Sequence, residues 1–131
     1  MLKVLLVDDE PFIVQGLSAL IDWEKEGFEI VGTAGNGSEA VEFLKSNPVD
    51  LILADIKMPV MNGLEFLKYI RETHLSEAFF VILSGYGDFT YAKEAIKWQC
   101  TDYILKPIQK SQLLAPVSYT HLRAHETLMN L

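Results

Sequence analysis

The sequence predicts a doubly wound α/β fold in which helices cover both faces of a five-stranded parallel sheet. Strand-length apolar runs alternate about five times with segments that carry apolar residues at helical spacing, a pattern typical of parallel sheets. Four of the apolar runs are followed directly by polar residues, as expected where strands end at one shared, ligand-binding edge. The 131 residues are enough for one such domain with its own core.

Three strands and two helices are predicted in the first half of the chain. The strands are the apolar runs at residues 4–7, 28–31 and 51–54, the second of them at the sheet edge. Pro11 can begin the first helix, because its missing N–H costs nothing there. Apolar residues recur at helical spacing: Ile13, Leu17, Leu20 and Ile21 in the first helix, and Ala40, Val41 and Leu44 in the second. Turn-forming residues separate these elements: Gly27, Asn36–Ser38 and Pro48.

The second half of the chain continues the alternation. The remaining strands are the apolar runs at residues 79–83 and 103–105. The helices before and after the fourth strand again carry apolar residues at helical spacing: Leu64, Leu67 and Ile70 in one, and Tyr91, Ala95 and Ile96 in the other. Asp88 is the expected N-cap of the later helix. Pro59 and Gly63 shape the loop that precedes the earlier one.

Composition and charge argue against several classes of function. The net charge of −7, with no Lys/Arg-rich stretch, disfavours nucleic-acid binding by this chain alone. The longest apolar runs are only strand-length, so we expect no membrane span. The first strand begins almost directly after Met1, which leaves no room for a signal peptide. The single cysteine, Cys100, cannot form an internal disulfide. We therefore expect a cytoplasmic protein.

The polar groups that follow the strands are Asp8–Glu10, Asp55, Ser84 and Lys106. Adjacent carboxylates repel each other unless a cation neutralises them, and Mg²⁺ prefers one or two carboxylates with water and phosphate oxygens. A carboxylate can also attack phosphorus to form an acyl phosphate. Hydroxyl and ammonium groups can pair with phosphoryl oxygens. The pattern therefore predicts a site for a divalent cation and a phosphoryl group.

Each of these residues also has an ordinary structural interpretation. Asp8 and Asp9 could belong to a solvated strand end, and Ser84 could satisfy a backbone group. Lys106 could be an exposed lysine before a turn, although its position before a proline holds it extended. Asp55 is harder to explain in this way, because it ends the most apolar strand and no helix follows at once. Each signal is weak alone, but four at the ends of four strands favour one site.

Asp8-Asp9, Asp55, Ser84 and Lys106-Pro107, with Met58-Pro59 and Gly63, together resemble the receiver domain of two-component response regulators. The likeness runs from residue 2 to about residue 114 and implies a flavodoxin-like (βα)5 fold. It implies that Asp55 accepts a phosphoryl group from the phosphohistidine of a sensor histidine kinase. It also implies Mg²⁺ as cofactor, with Asp9, Asp55 and the backbone carbonyl of Lys57 as ligands and Asp8 on a metal-bound water.

The resemblance further implies how phosphorylation is read out. Ser84 and Lys106 would contact the phosphoryl oxygens, and Tyr103 would fill the space that Ser84 leaves. The readout surface would be the face formed by residues 88–99, the fifth strand and the last helix, which could also join two copies in a homodimer. Such a domain is a signalling module, not an enzyme with external substrates. It would catalyse only its own phosphorylation and slow dephosphorylation.

Two segments are similar to those of a particular subfamily. Ile21–Phe28 (IDWEKEGF) and Ser84–Phe89 (SGYGDF) look like receivers that precede AraC-type helix-turn-helix domains. This likeness implies control of transcription by a DNA-binding domain outside this chain. Trp23 could instead be a surface-clamping aromatic residue. Trp98 and Cys100 are expected to be packing residues rather than ligands.

The end of the chain departs from the family pattern. We predict a receiver domain at residues 1–114 and an atypical tail at residues 115–131 that resembles translated vector or adapter sequence and is not a domain. Pro116 is expected to break the last helix after about a turn, which would leave that helix altered or truncated. The i, i+4 spacing of His121 and His125 is interpreted as accidental. The tail would either dock as a makeshift last helix or exchange between chains, covering the sheet with apolar residues: Tyr119, Leu122, Leu128 and Met129.

Three other functions are compatible with parts of the pattern. A haloacid dehalogenase-type aspartyl phosphatase needs a second acid two residues after its nucleophile, where this chain has Lys57. A flavodoxin-like cofactor binder needs a glycine-rich phosphate loop after the first strand, where this chain has Asp8–Glu10. A phosphorylation-independent interaction module would not need the complete set of site residues.

Overall fold

The computed structural model describes residues 1–85 and 89–129, without the side chains of Phe89 and of residues 125–129. Within these ranges, strands and helices alternate as predicted. The strands are β1 (Leu2–Val7), β2 (Phe28–Ala34), β3 (Leu51–Asp55), β4 (Phe79–Ser84) and β5 (Asp102–Leu105). The helices are α1 (Pro11–Leu20), α2 (Gly37–Ser46), α3 (Gly63–Glu72), α4 (Phe89–Lys97) and α5 (Lys110–Met129).

The five strands form one parallel sheet in the order β2-β1-β3-β4-β5, with β2 at the edge as predicted. The order reverses at β1, so that the chain winds outward from β1 in both directions. Val7 at the end of β1 pairs with Ala54 in β3, which sets the residues after β1 beside Asp55. Ligands of such sheets bind outside the carboxyl ends of the strands at this reversal.

Helices cover both faces of the sheet and bury a separate core on each. On one face α1 and α5 pack on the sheet through a shared set of buried residues: Leu17, Ile21, Leu113 and Val117. On the other face α2, α3 and α4 contribute the buried residues Ala40, Val41, Leu44, Leu64, Phe66, Leu67, Ile70 and Ala95. The strands between the two layers read as continuous apolar runs because both of their faces are covered.

Ile96 is exposed, and Trp23 is buried. Ile96 belongs to the apolar set predicted for α4, but its side chain is 74% exposed, whereas Ala95 in the same helix is buried. Trp23 is not a surface aromatic residue. It is 5% exposed, its indole N–H donates to the carbonyl of Leu17 at 3.0 Å, and its ring lies edge-on to Phe28. The predicted N-cap, Asp88, lies outside the described residues.

The prediction that Pro116 breaks the last helix is wrong. α5 continues through Pro116 for 20 residues. A proline inside a helix costs about 3 kcal/mol because it removes a hydrogen bond and crowds the preceding turn. Here Leu113 and Val117, one turn apart, are both fully buried against the sheet, and packing of an amphipathic face supplies most helical stability in proteins. The last helix is therefore not truncated.

Residues of the predicted tail dock on their own chain, and of the four expected to do so Tyr119 contacts the sheet, with its ring edge-on to Phe79 in β4. Tyr119 and Leu122 are 48% and 61% exposed, whereas Val117 and Thr120 are fully buried. The hydroxyl of Thr120 donates to the carbonyl of Pro116 at 2.8 Å. The His121 ring lies against Phe28, with 6.3 Å between ring centroids, and not in a metal site. Leu128 and Met129 are among the residues whose side chains are not described.

Among the described residues, every helix is too short or too polar to pass through a membrane.

Candidate functional site

Three carboxylates meet where β1 and β3 end. Asp8, Asp9 and Asp55 each place an oxygen within 4.8 Å of the others. Asp8 and Asp55 are 4% and 6% exposed, while Asp9 faces solvent. The Asp8 carboxylate accepts a hydrogen bond of 2.9 Å from the backbone N–H of Glu10, just before α1. The sheet and the start of the first helix thus hold the cluster in place.

Lys106 brings an ammonium group into this cluster from the end of β5. Its Nζ lies 3.2 Å from Oδ2 of Asp55 and 3.3 Å from Oδ2 of Asp8. The backbone N–H of Lys106 donates to the carbonyl of Ser84 at 2.8 Å, which continues the β4–β5 pairing up to the site. One cation therefore bridges two buried anions, and the third carboxylate remains open to solvent.

The pKa values of the two central groups reflect this crowding. Burial is the largest effect on the Asp55 carboxyl, and with the nearby charge of Asp8 it raises the pKa above 3.8 in spite of Lys106. Burial disfavours the charged form of Lys106, but attraction to Asp55 and Asp8 outweighs it and raises the pKa of the ammonium. A further positive charge at the site would therefore stabilise the ionised carboxylates.

The two residues expected to act as a switch lie on adjacent strands. Ser84 is fully buried at the end of β4, one residue beyond Leu83, the pairing partner of Asp55. Its hydroxyl donates to the carbonyl of Gly85 at 3.3 Å. Tyr103 lies in β5, half-buried among the core residues on the α3 and α4 face. Ser84 thus reaches the edge of the site, and Tyr103 lies two positions before the residue that pairs with Ser84.

The loop after β3 returns to the site through Gly63. The backbone N–H of Gly63 donates to the carbonyl of Ile56 at 2.8 Å. A Cβ atom at Gly63 would collide with the backbone carbonyl of Asp55. Lys57, whose carbonyl was the expected metal ligand, lies in this loop with its side chain exposed. Asp55 therefore keeps its position because the chain packs backbone on backbone here.

Sequence reasoning missed the residues that fix this loop to α3. Asn62 caps the helix, accepting from the N–H of Glu65 at 2.8 Å, and Glu65 accepts from the N–H of Asn62 at 3.0 Å. The spacing Asn-x-x-Glu before an apolar stripe was the available signal. Asn62 also lines an open depression beside the carboxylates, with Asp9, Ile56, Lys57, Met58, Pro59 and Tyr91.

The carboxylate cluster fits a hard divalent cation. Mg²⁺ takes oxygen ligands and keeps several waters, so one or two carboxylates with solvent access suffice. Asp9 is exposed beside two buried carboxylates, and all three residues offer only oxygen. The net charge of the site supports the fit. The single Lys106 ammonium does not balance three carboxylates, so the cluster still attracts a cation.

We expect the substitution Asp55→Asn to stabilise the protein when no divalent cation is present. A carboxyl with a raised pKa stabilises the fold below its unfolded-state pKa, and this contribution is lost as pH rises through the folded-state pKa. At pH 7 the ionised group is therefore a cost, and its removal should gain about 1 kcal/mol, or about 4 °C in Tm. Thermal unfolding at pH 7 in EDTA tests this. The gain should shrink as the pH falls toward 3.8, and a gain independent of pH would contradict the explanation.

Comparison with known proteins identifies this arrangement. Residues 4–118 match the response regulator receiver domain family. The chain belongs to that family. Receiver domains act in two-component signalling, interact with histidine kinases and in general bind Mg²⁺. The resemblance stated from the sequence is thereby confirmed, and the receiver is a signalling domain rather than a conventional enzyme.

Related receivers occur in transcriptional regulators. The chain is 41% identical over 115 residues to the transcriptional regulatory protein YesN of Bacillus subtilis, covering 88% of this chain and 31% of YesN. It is 38% identical over 113 residues to the transcriptional regulatory protein HptR of Staphylococcus aureus, covering 86% of this chain and 44% of HptR. The chain thus spans less than half the length of these relatives.

Solved receiver structures share the fold over nearly the whole chain. The receiver domain of AraT from Geobacillus stearothermophilus superimposes with a TM-score of 0.88 at 36% identity. The match covers 97% of this chain and 98% of the solved AraT receiver domain. A two-component AraC regulator from Clostridium phytofermentans superimposes with a TM-score of 0.83 at 31% identity, covering 93% of this chain and 94% of the solved chain. The flavodoxin-like fold is therefore confirmed, and the likeness to AraC-type receivers agrees with the subfamily predicted from the sequence.

Proposed function

We propose that this receiver accepts a phosphoryl group on Asp55 from the phosphohistidine of a sensor histidine kinase. The observation that carries the proposal is the position of Asp55, buried among two carboxylates and the Lys106 ammonium at the sheet edge. An Asp55 oxygen would attack phosphorus, the P–N bond to histidine would break, and the freed imidazole would leave with a proton. The product is an acyl phosphate on Asp55.

The surrounding residues have complementary roles in this proposal. Asp9 and Asp55, with the backbone carbonyl of Lys57, would hold Mg²⁺, and Asp8 would hold one of its waters. The bound ion would neutralise charge on the phosphoryl oxygens. Lys106, already 3.2 Å from Asp55, would pair with one phosphoryl oxygen. Ser84 would donate a hydrogen bond to another. The same groups would support the slow loss of the phosphoryl group to water.

Phosphorylation would then change the surface near β5. The Ser84 hydroxyl donates a long hydrogen bond of 3.3 Å to the adjacent Gly85 carbonyl, so a new anion could draw it toward Asp55. Tyr103 would move into the space that Ser84 leaves. A new local charge that biases two arrangements of a packed element is an ordinary basis for such switches. The output would be transcription, through a DNA-binding domain outside this chain, in the cytoplasm.

Intact-mass spectrometry after incubation with acetyl phosphate tests the phosphorylation. We expect one phosphoryl adduct with Mg²⁺, none with EDTA and none in Asp55→Asn. Asp50→Asn is a matched control, because Asp50 precedes the same strand at its other end and accepts from the N–H of Lys3 at 2.7 Å. It should keep the adduct. An adduct in Asp55→Asn would refute the assignment of Asp55. No adduct in folded wild-type protein would favour the phosphorylation-independent interaction module.

We also propose that the phosphorylated receiver forms a homodimer through α4, β5 and α5. Among the described residues, these elements carry four of the eight large exposed apolar side chains: Ile96, Leu105, Tyr119 and Leu122. β5 is the edge strand opposite β2, with α4 and α5 on its two faces. Exposed apolar side chains on neighbouring elements are typical of protein–protein interaction sites.

Analytical ultracentrifugation of the phosphorylated protein tests the dimer. We expect Ile96→Asp to weaken self-association by at least tenfold, because it would bury an unpaired charge in the interface. Phe12→Asp is the control, since Phe12 is similarly exposed, at 67%, on α1. Equal association of both variants and the wild type would contradict this interface.

A further inference from the structure

Arg71, in the last turn of α3, places a guanidinium group among backbone carbonyls rather than carboxylates. It donates four hydrogen bonds: to Ser76 at 2.8 Å, to Ala78 at 2.7 Å, to Trp98 at 3.1 Å and to Gln99 at 3.2 Å. We call these five residues the Arg71 clamp. Burial lowers the pKa of the guanidinium, so the carbonyls replace hydration that the group has lost. Such a fork is rigid and uses its donors in fixed directions.

The clamp joins the end of α4 to the amino-terminal side of the sheet. Ser76 and Ala78 lie in the segment that leads from α3 into β4. Trp98 and Gln99 come directly after α4, where the last carbonyls of a helix have no partner within it. A positive charge is also favourable at that end of a helix. Arg71 thus caps a helix other than its own.

Two further features hold the same end of α4. The ammonium of Lys68, one turn before Arg71, lies 5.8 Å from the centre of the Trp98 ring, within the range of a cation–π contact. Gln99 has a φ of 63°, and the backbone N–H of Cys100 donates to the carbonyl of Ala95 at 3.2 Å. This is the closing pattern of a helix that ends in a left-handed residue.

The rest of α4 is held much less firmly. Of residues 90–97, Ala95 alone is buried, and five others are exposed: Thr90, Lys93, Glu94, Ile96 and Lys97. Few buried apolar contacts are a mark of low local stability. The amino-terminal end of α4 begins five residues after Ser84, on the side of the phosphorylation site. The clamped end lies at the opposite edge of the sheet, where the parallel strands begin.

We propose that the Arg71 clamp is a fixed pivot for α4. Events at Asp55 and Ser84 would move the amino-terminal part of the helix, while Arg71 and Lys68 keep its carboxyl end in place. Only the movement of the amino-terminal part of α4 rests on the proposed phosphorylation. The clamp itself exists in the unphosphorylated protein. Arg71 would therefore be a positioning residue, remote from the reacting atoms, that decides how a local change becomes a rotation of α4.

Hydrogen exchange of individual amides, read by NMR, tests the clamp without phosphorylation. In Arg71→Lys the charge and stem remain but the fork is lost. We expect the amides of Trp98, Gln99 and Cys100 to exchange at least about tenfold faster, given the strength of charge-assisted hydrogen bonds. Leu53 and Val81 lie in core strands, so their amides exchange only on global unfolding. Any change in global stability would shift both of their exchange rates by the same factor. Lys97→Ala removes a charge at the same helix end without touching the fork, and should leave these three amides unchanged. Unchanged exchange in Arg71→Lys, or a rise matched by the core strands, would overturn the proposal.

The second comparison uses the same samples with acetyl phosphate and Mg²⁺. In the wild type, phosphorylation should change exchange in residues 92–95 and leave residues 98–100 unchanged, whereas in Arg71→Lys both should change. A change at residues 98–100 as large as that at residues 92–95 in the wild type would overturn the pivot. Mass spectra of these samples report phosphorylation itself. If no adduct forms, the proposed function fails, and the unphosphorylated comparison still decides whether the clamp exists.

Discussion

A chain that ends at Ala115 is expected to be largely unfolded at 37 °C. Deletion of residues 116–131 removes three buried residues, Pro116, Val117 and Thr120, of which Val117 packs in the core between α5 and the sheet. It also removes the edge-on ring contacts of Tyr119 with Phe79 and of His121 with Phe28. Together these losses amount to about 5 kcal/mol or more. The whole stability of a small domain is about 5–15 kcal/mol. Circular dichroism and urea unfolding of the shortened protein measure the effect.

Two point substitutions on α5 separate packing from helix length. Val117→Ala should cost about 2–3 kcal/mol, because it leaves a cavity in the core that α5 shares with α1. Leu122→Ala, at a side chain that is 61% exposed, should stay within about 0.5 kcal/mol. If the shortened chain is as stable as the full one, or if both substitutions have the same effect, α5 beyond Ala115 does not contribute to the core.

The substitution Gly63→Ala is expected to destabilise the domain by about 3 kcal/mol, or about 12 °C in Tm. An added Cβ would strike the Asp55 carbonyl oxygen and would come within 3.1 Å of the Ile56 Cα. Both are backbone atoms, which cannot rotate away as a side chain could. Because the displaced carbonyl belongs to Asp55, the phosphoryl adduct should also form at least about tenfold more slowly. Thermal unfolding and the rate of adduct formation are the two measurements.

Gly16→Ala provides the matched control. Gly16 lies in α1, and an added Cβ there would have nothing within 4 Å. Alanine is favoured over glycine within a helix by about 0.5–1 kcal/mol, so this substitution should raise the Tm. Equal behaviour of the two alanine variants would mean that the close approach at Gly63 does not constrain Asp55.

The apolar runs predicted the strands because their composition and length are local properties. All five strands occur where the sequence predicts them, with ends extended by one to three residues. The structural positions of Asp55 and Ser84 differ only in that each is the last residue of its strand rather than the first after it. Parallel pairing then brings the strand ends together. That is why a one-dimensional pattern could predict three acids and a lysine at one edge.

The errors arose where packing between distant segments outweighs local propensity. Pro116 is a helix breaker by itself, but burial of Leu113 and Val117 keeps α5 intact across it. Ile96 fits a helical stripe, yet its side chain is 74% exposed, and α4 packs on the core through Ala95 and the partly buried Tyr91. Neither outcome can be read from spacing, because each depends on what lies opposite the helix in the folded chain.

The sequence by itself determined the receiver family, the parallel α/β fold and the set of residues at the sheet edge, since motif residues and apolar periodicity are encoded position by position. Only the tertiary structure decided the distances among the three carboxylates and Lys106, the close approach of Gly63 to Asp55 and the Arg71 clamp. Those features join residues up to 98 positions apart. Their geometry is fixed by how sheet, loops and helices pack together, which no local pattern records.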